Sequence, residues 1–142
     1  MAALVLALAG CGGEPAPEPA APAYGWPSDP RAVTAWPPPS ETGKASYYAD
    51  SLAGNRTASG EPYDPRALTA AHRKLPFGTI IDVRTTDGRR TVRVRVNDRG
   101  PWVEGRVVDL SRAAAEQLDM IRAGVVAVNL YVVSMPQAPA GR

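Results

Sequence analysis

The residues best suited to chemistry in this chain are an aspartate, a glutamate and the only histidine, all within one short segment. Asp98 stands in the motif NDRGP, Glu61 in SGEP and His72 in AAHR. Asp98 comes directly after a stretch with strand alternation and just before a Gly-Pro turn, so its carboxyl has a rigid support beside a loop. A fixed carboxyl with one helper carboxylate and one imidazole is suited to proton transfer at a glycosidic bond.

Each of these three residues also has a structural interpretation. Aspartate is common in turns, and the neighbouring Arg99 offers Asp98 an ion pair that would favour this interpretation. Glu61 is in the simplest case a solvated loop carboxylate, although Gly60 and Pro62 restrict the direction of its backbone. A lone histidine is more often a hydrogen-bonded structural residue than a catalyst.

Aromatic side chains near these motifs are candidates for sugar binding, because the C–H faces of sugars stack on aromatic rings. The nearest aromatic residues are Tyr47, Tyr48, Tyr63 and Trp102, and of these Tyr48, Tyr63 and Trp102 are the predicted sugar contacts. Asn97 and Arg99, which flank the aspartate, are predicted to bind substrate together with these rings. For each ring the alternative is packing in the core or at its edge.

Short strands must position these residues. Residues 91–96 alternate strictly, with valines on one face and Thr or Arg on the other, which predicts a half-buried strand. The Asp87-Gly88 pair before this strand favours a hairpin turn. Further strands are predicted at residues 43–48, 79–84, 106–110 and 125–133.

One helix and one long loop complete the predicted domain. Ser111 is predicted to cap a helix over residues 112–118, which are mostly good helix formers. Residues 51–65 are rich in turn-forming types and predict a long surface loop, which usually carries function. The apolar segment 67–71 is ambiguous. Five or six short strands and one helix in about 90 residues predict a mainly β protein folded as a small closed barrel, without open sheet edges.

The N-terminal part predicts an anchor and a tether. An apolar run ends in LAGC at Cys11, which is typical of a bacterial lipoprotein signal; the alternative is an ordinary signal peptide with an incidental cysteine. Residues 12–42 hold most of the chain's 15 prolines and many alanines, so they bury too little to offset their ordering entropy and predict a disordered linker. The predicted divisions are a signal and lipobox (1–11), this linker, a barrel domain (43–134) and a tail (135–142).

Composition and charge exclude several other classes of function. The net charge is only +2, and the arginines alternate along strands instead of forming a basic helix. Nucleic acid is therefore not a predicted partner. With one histidine and one cysteine, the chain predicts neither a metal site nor a cofactor. A mild positive charge suits a polymer that bears carboxylates, such as the peptide stems of a cell wall.

The segment 43–133 resembles the rare lipoprotein A (RlpA-like) family through five stretches in the family's order: GKASYYAD, TASGEPYD, LTAAHRKLPFGT, VRVNDRGP and GRVVDLSRAAAEQL. The resemblance implies a six-stranded double-psi β-barrel. It implies an endolytic lytic transglycosylase that cuts the MurNAc–GlcNAc bond of peptidoglycan and leaves 1,6-anhydroMurNAc ends. It also implies Asp98 as general acid and base, Glu61 for transition-state stabilisation or substrate positioning, and His72 to orient a carboxylate or the sugar.

The same resemblance implies where the protein acts. It implies a monomer in the cell envelope, lipid-anchored through Cys11 to a membrane that faces the periplasm, which is the outer membrane in a Gram-negative cell. Longer members carry a C-terminal SPOR domain that binds denuded septal glycan, and since this chain stops at Arg142 we expect a member without it. Two alternatives stay open: a non-catalytic glycan-binding lipoprotein on the same barrel, and a glycoside hydrolase that uses two carboxylates and water.

Overall fold

The computed structural model describes residues 38–137, and in this part of the chain six strands close into a barrel. The strands and the helix are β1 (Glu41–Tyr47), β2 (Thr69–Ala71), β3 (Ile80–Thr85), β4 (Thr91–Asp98), β5 (Arg106–Leu110), α1 (Arg112–Gln117) and β6 (Val126–Ser134). A short 3₁₀ turn, Asp50–Leu52, follows β1. Around the barrel the strands follow the order β1-β5-β2-β4-β3-β6.

The barrel mixes parallel and antiparallel pairs. β1 runs parallel to β5, and β2 runs parallel to β4. The other neighbouring pairs are antiparallel. Only β3 and β4 are neighbours both along the chain and around the barrel. The predicted mainly β, closed six-stranded barrel with one short helix is confirmed, and closure gives each described barrel strand a partner on both sides.

Alternation along β4 fills the barrel interior. Val92, Val94 and Val96 are each at most 2% exposed, which confirms the predicted face of the strand. On the opposite face, Arg93 donates to both carboxylate oxygens of Asp82 on β3, over 2.7 and 2.9 Å. Cross-strand pairs of opposite charge such as this one add to the stability of an antiparallel pair.

Two local signals in the sequence act as predicted. The Asp87-Gly88 turn joins β3 to β4, and Gly88 has a φ of 74°, which glycine adopts without steric cost. Ser111 caps α1, since its hydroxyl accepts a hydrogen bond from the N–H of Ala114 over 3.3 Å. The cap satisfies one of the N–H groups that a helix leaves unpaired at its start.

Strands β1, β2 and β4 differ from the prediction by more than one residue at an end. β1 begins at Glu41, two residues early, because its first residues pair with β6. The ambiguous segment is the strand β2, whose three residues are too few for any periodicity to reveal. β4 continues to Asp98, because Ala71 of β2 pairs with Asp98. The aspartate is therefore the last residue of a strand.

The predicted lipobox with Cys11 and most of the predicted linker lie outside the described residues, as does the end of the predicted tail. Within residues 38–137, no helix has both the length and the apolar character needed to cross a membrane.

Candidate active site

Three hydrogen-bond donors hold the carboxyl group of Asp98 at the end of β4. The backbone N–H groups of Ala58 and Arg99 both donate to Oδ1, each over 2.8 Å. The hydroxyl of Tyr48 donates to Oδ2 over 2.7 Å. Because both backbone donors point at Oδ1, Oδ2 is the oxygen with a lone pair left for a ligand. The orientation of the carboxyl is therefore fixed before any substrate arrives.

A pocket opens onto this carboxyl. Its lining residues are Tyr48, Leu52, Asn55, Arg56, Thr57, Tyr63 and Asp98. The rings of Tyr48 and Tyr63 are in contact, with centroids 4.9 Å apart and planes tilted by 60°, an arrangement that aromatic pairs favour. The loop predicted to carry function thus forms one wall of a pocket beside the aspartate.

Tyr48 is a permanent donor to Asp98. The pKa of Tyr48 is raised above its ordinary value. Burial of the side chain is the largest cause, and the hydrogen bond to Asp98 is the second. A tyrosine with a raised pKa keeps its proton throughout the neutral range. Burial also raises the pKa of Tyr63, whose hydroxyl accepts a hydrogen bond from the N–H of Arg112 over 3.1 Å. Both tyrosines are therefore anchored by their hydroxyl groups.

Glu61 forms a bidentate ion pair with Arg95 of β4. Both N–O distances are 2.8 Å, and the Glu61 side chain is 46% exposed. The hydrogen bond from Arg95 is the main cause that lowers the pKa of Glu61 below its usual value. A glutamate is ionised at neutral pH already at its usual pKa, and the lowered pKa favours the carboxylate further, so Glu61 has no proton to give to a leaving group.

The loop that carries Glu61 folds back on itself and on β4. The backbone N–H and the hydroxyl of Thr57 both donate to the Glu61 carbonyl oxygen, over 2.8 and 2.7 Å. The N–H of Ser59 donates to the carbonyl oxygen of buried Asn97 over 3.2 Å. Ala58 lies between Thr57 and Ser59, so these bonds position its N–H to donate to the Asp98 carboxyl at the end of β4.

His72 follows β2 and is buried, with 5% of its side chain exposed. Its Nδ1 accepts hydrogen bonds from the N–H groups of Lys74 and Leu75, both over 3.1 Å. Since Nδ1 accepts, the ring proton is assigned to Nε2, which donates to Glu41 Oε2 over 2.8 Å. Both ring nitrogens are engaged, and His72 reaches Asp98 through the backbone, where its N–H donates to the Asp98 carbonyl oxygen over 3.2 Å.

The side chain of Arg99 binds the backbone of His72 and of the segment that follows it. Its guanidinium donates to the carbonyl oxygens of His72 and Leu75, over 3.2 and 2.8 Å, and lies 4.0 Å from the ring centre of Phe77. The ion pair with Asp98 that the sequence allows does not form between these two described residues. It is the backbone N–H of Arg99 that binds the Asp98 carboxylate.

The other candidates lie beside this arrangement. Trp102 lies shortly after Asp98 in the sequence, beyond the Gly100-Pro101 pair. It is 74% exposed and does not line the pocket. Asp109 on β5, which was not among the candidates, accepts a hydrogen bond from Ser46 and pairs with Arg106, as a structural residue does. Across residues 38–137, no three side chains of the His, Cys, Asp or Glu types gather as a metal site would require.

Among the contacts of the site that the sequence did not predict are the two donors to Asp98 from Tyr48 and Ala58, the Arg95 partner of Glu61 and the acceptor role of His72 Nδ1. The strand alternation placed Arg95 on the outer face of β4, so a signal for its pairing existed. Nothing in the sequence signals the N–H of Ala58, because every residue except proline has one.

Comparison with known proteins yields a family and several relatives. A family profile described as lytic transglycolase matches residues 40–130. The probable endolytic peptidoglycan transglycosylase RlpA of Treponema pallidum is 53% identical over 89 residues, which are 63% of this chain and 28% of that protein. The endolytic peptidoglycan transglycosylase RlpA of Campylobacter jejuni is 46% identical over 99 residues, which are 70% of this chain and 36% of that protein. The chain spans about a third of the length of these two curated relatives.

A solved structure has a similar fold. The apo form of the expansin from Clavibacter michiganensis is 30% identical to this chain, with a TM-score of 0.51. The similarity covers 69% of this chain and 52% of the expansin. Together with the family profile, it confirms the double-psi β-barrel predicted from the sequence.

Proposed function

This chain belongs to the RlpA-like lytic transglycolase family, and we propose that it is an endolytic peptidoglycan lytic transglycosylase. On this proposal its substrate is the MurNAc–GlcNAc bond within glycan strands, and its product is a strand that ends in 1,6-anhydroMurNAc. The observation that carries the proposal is the fixed Asp98 carboxyl, which faces a pocket with Oδ2 available. One such carboxyl is sufficient for a reaction in which a proton is first given and then taken back.

Asp98 acts first as acid and then as base. In its protonated form, Oδ2 gives a proton to the glycosidic oxygen while the bond from that oxygen to C1 of MurNAc breaks. The 6-hydroxyl of the same MurNAc then bonds to C1, and its proton passes to Oδ2. Between these steps Asp98 is a carboxylate, which the Tyr48 hydroxyl stabilises by its hydrogen bond. The cycle returns Asp98 to its protonated form and consumes no water.

Three aromatic residues are the proposed sugar contacts. Tyr48 and Tyr63 line the pocket. Trp102 has an exposed ring and lies close to Asp98 in the sequence. Aromatic rings provide large apolar area with few rotatable bonds, which suits stacking on sugars. Asn97 is buried and Arg99 is held by backbone carbonyls, so we assign these two residues to the support of the site.

Product analysis tests the proposed function. The purified chain is incubated with peptidoglycan sacculi, intact and amidase-treated, and the soluble products are identified by mass spectrometry. Strand ends with 1,6-anhydroMurNAc are expected. Reducing ends would identify a hydrolase instead, and unchanged sacculi that retain bound protein would identify the non-catalytic glycan-binding alternative.

Reversal of the Glu61–Arg95 ion pair tests how Glu61 acts. We propose that Glu61 holds its loop, and with it the N–H of Ala58, against the Asp98 carboxyl. Glu61→Arg and Arg95→Glu alone are each expected to lower turnover by up to about fivefold, since a partly exposed ion pair contributes about 1 kcal/mol at most. The double variant restores the pair with opposite polarity, so most of the turnover returns.

The control is thermal unfolding of all three variants, which is expected to stay near the wild-type midpoint because the pair lies at the surface. A double variant that stays as slow as Glu61→Arg would show that the Glu61 carboxylate itself acts on the sugar. That result would favour direct transition-state stabilisation by Glu61.

We further propose that Cys11 carries a lipid that anchors the chain to a membrane of the cell envelope. The proposal rests on the LAGC motif and on the proline-rich segment that follows it. In cells fed a fatty-acid analogue, the wild-type chain is expected to be labelled, whereas Cys11→Ser is not. Equal labelling of the two chains would contradict the anchor.

A further inference from the structure

The imidazole of His72 is bound on both sides by protein groups. Nδ1 accepts from the N–H groups of Lys74 and Leu75, and Nε2 donates to Glu41. A side chain that transfers a proton to substrate must come within about 2.6–3.2 Å of the reacting atom, directly or through one water. With 5% of its side chain exposed and both nitrogens engaged, His72 offers no free atom for that task.

The contacts at Nδ1 define a tight turn. An acceptor on residue 72 that binds the N–H groups two and three positions later is the pattern by which Asn and Asp side chains stabilise turns. Here a histidine ring nitrogen supplies the acceptor. The turn in consequence has a fixed shape, and its carbonyl oxygens point in fixed directions.

Those carbonyl oxygens hold the residue after the catalytic aspartate. The guanidinium of Arg99 donates to the carbonyl oxygens of His72 and Leu75, and Phe77 covers it. The backbone N–H of Arg99 in turn donates to Asp98 Oδ1. Hydrogen bonds, linked by the backbone of the turn and by the Arg99 residue itself, thus connect His72 Nδ1 to the carboxyl.

We propose that His72 is a positioning residue that acts through this turn, and that it takes no part in proton transfer. The inference rests on the proposed function, because it concerns how the Asp98 carboxyl is aimed at the sugar. A positioning residue and a proton-transfer residue require different chemical groups at position 72. The position needs a hydrogen-bond acceptor where Nδ1 lies, and it does not need a group that ionises.

Three substitutions in the full chain distinguish the need for an acceptor at Nδ1 from the need for a group that ionises. His72→Asn places an amide oxygen near the position of Nδ1 and has no titratable group. His72→Gln reaches toward the position of Nε2 and leaves the N–H groups of Lys74 and Leu75 without their acceptor. His72→Ala removes both contacts. Turnover on sacculi and the thermal unfolding midpoint are measured for each variant.

Turnover is expected to be high only in those variants that have a hydrogen-bond acceptor at the position of Nδ1. His72→Ala and His72→Gln are expected to lose about 10²-fold in turnover, which is the cost of a small misplacement of a catalytic group. His72→Asn is expected to stay within severalfold of the wild type. An Asn variant that folds but is as slow as the Ala variant overturns the proposal, because the imidazole would then be needed as such. Failure of the Asn variant to fold also counts against it, since the amide supplies the required acceptor.

Amide hydrogen exchange gives a readout that does not depend on activity. The N–H groups of Lys74, Leu75 and Arg99 are expected to exchange slowly in the wild type and in His72→Asn, and to lose protection in His72→Gln. Equal protection in the Gln variant would contradict the path from the turn to Arg99. If the wild type releases no anhydro product, the proposed function fails, whereas the exchange result still decides whether His72 orders this segment.

Discussion

Replacement of Asp98 by asparagine is expected to lower turnover on peptidoglycan by roughly 10²–10⁴-fold, the span attributed to general acid–base catalysis. The amide cannot give up and recover a proton at the position of Oδ2. Its oxygen can still accept the hydrogen bonds from the N–H groups of Ala58 and Arg99. The fold should therefore survive, with an unfolding midpoint within about 5 °C of the wild type, as expected for a change near 1 kcal/mol. Release of anhydro products and thermal unfolding check the two statements.

Asp50→Asn is the matched control, because Asp50 is an exposed carboxylate in the 3₁₀ turn and pairs with Arg112 over 3.2 Å. Its turnover should stay within about twofold, as for most surface substitutions. Full activity in a folded Asp98→Asn variant, or loss of the fold, would show that Asp98 is a structural residue. The glycan-binding alternative would then be the better account.

Replacement of Tyr48 by phenylalanine is expected to lower turnover by about 10- to 10²-fold, since a hydrogen bond to a charged group contributes about 1.5–3 kcal/mol. In the proposed reaction, the lost hydroxyl is the donor that stabilises the Asp98 carboxylate after the proton has left. The ring is retained, so its packing on Tyr63 is expected to persist. The effect should appear in turnover, with little change in the amount of protein bound to sacculi.

Tyr47→Phe provides the same chemical change one residue earlier. The Tyr47 hydroxyl donates to the carbonyl oxygen of Ile121 over 3.1 Å and has no part in the proposed chemistry. Its turnover is expected to stay within about twofold of the wild type. If the two variants lose activity equally, the loss at Tyr48 is a general effect of a missing hydroxyl, and its proposed role is wrong.

Local periodicity accounts for most of what the sequence predicted of the fold. The strand β4 and its hairpin were predictable because alternation and the Asp-Gly turn are short-range signals. Ser111 was predictable as a cap for the same reason. The strand β2 was not, because three residues carry no measurable period and its existence depends on pairing with β4 and β5, which are distant in sequence.

The site was predictable in its residue types more than in its contacts. The position of Asp98 before a Gly-Pro turn pointed to a carboxyl on a rigid support, and the structure places it at the end of β4. Two of its three donors come from Tyr48 and Ala58, far away along the chain, and only the tertiary fold brings them to Asp98. The orientation of His72 likewise depends on Glu41 from another strand. Such contacts depend on tertiary packing and leave no local pattern.

Digestion of sacculi in water enriched in ¹⁸O tests the central claim most directly. If Asp98 drives an intramolecular attack by the MurNAc 6-hydroxyl, each new end lacks the elements of one water and carries no ¹⁸O. Mass spectrometry is therefore expected to find unlabelled anhydroMurNAc ends with the wild-type chain and roughly 10²–10⁴-fold fewer of them with Asp98→Asn. New reducing ends in excess of those in an enzyme-free control would contradict the account, because they would show that water attacks the sugar.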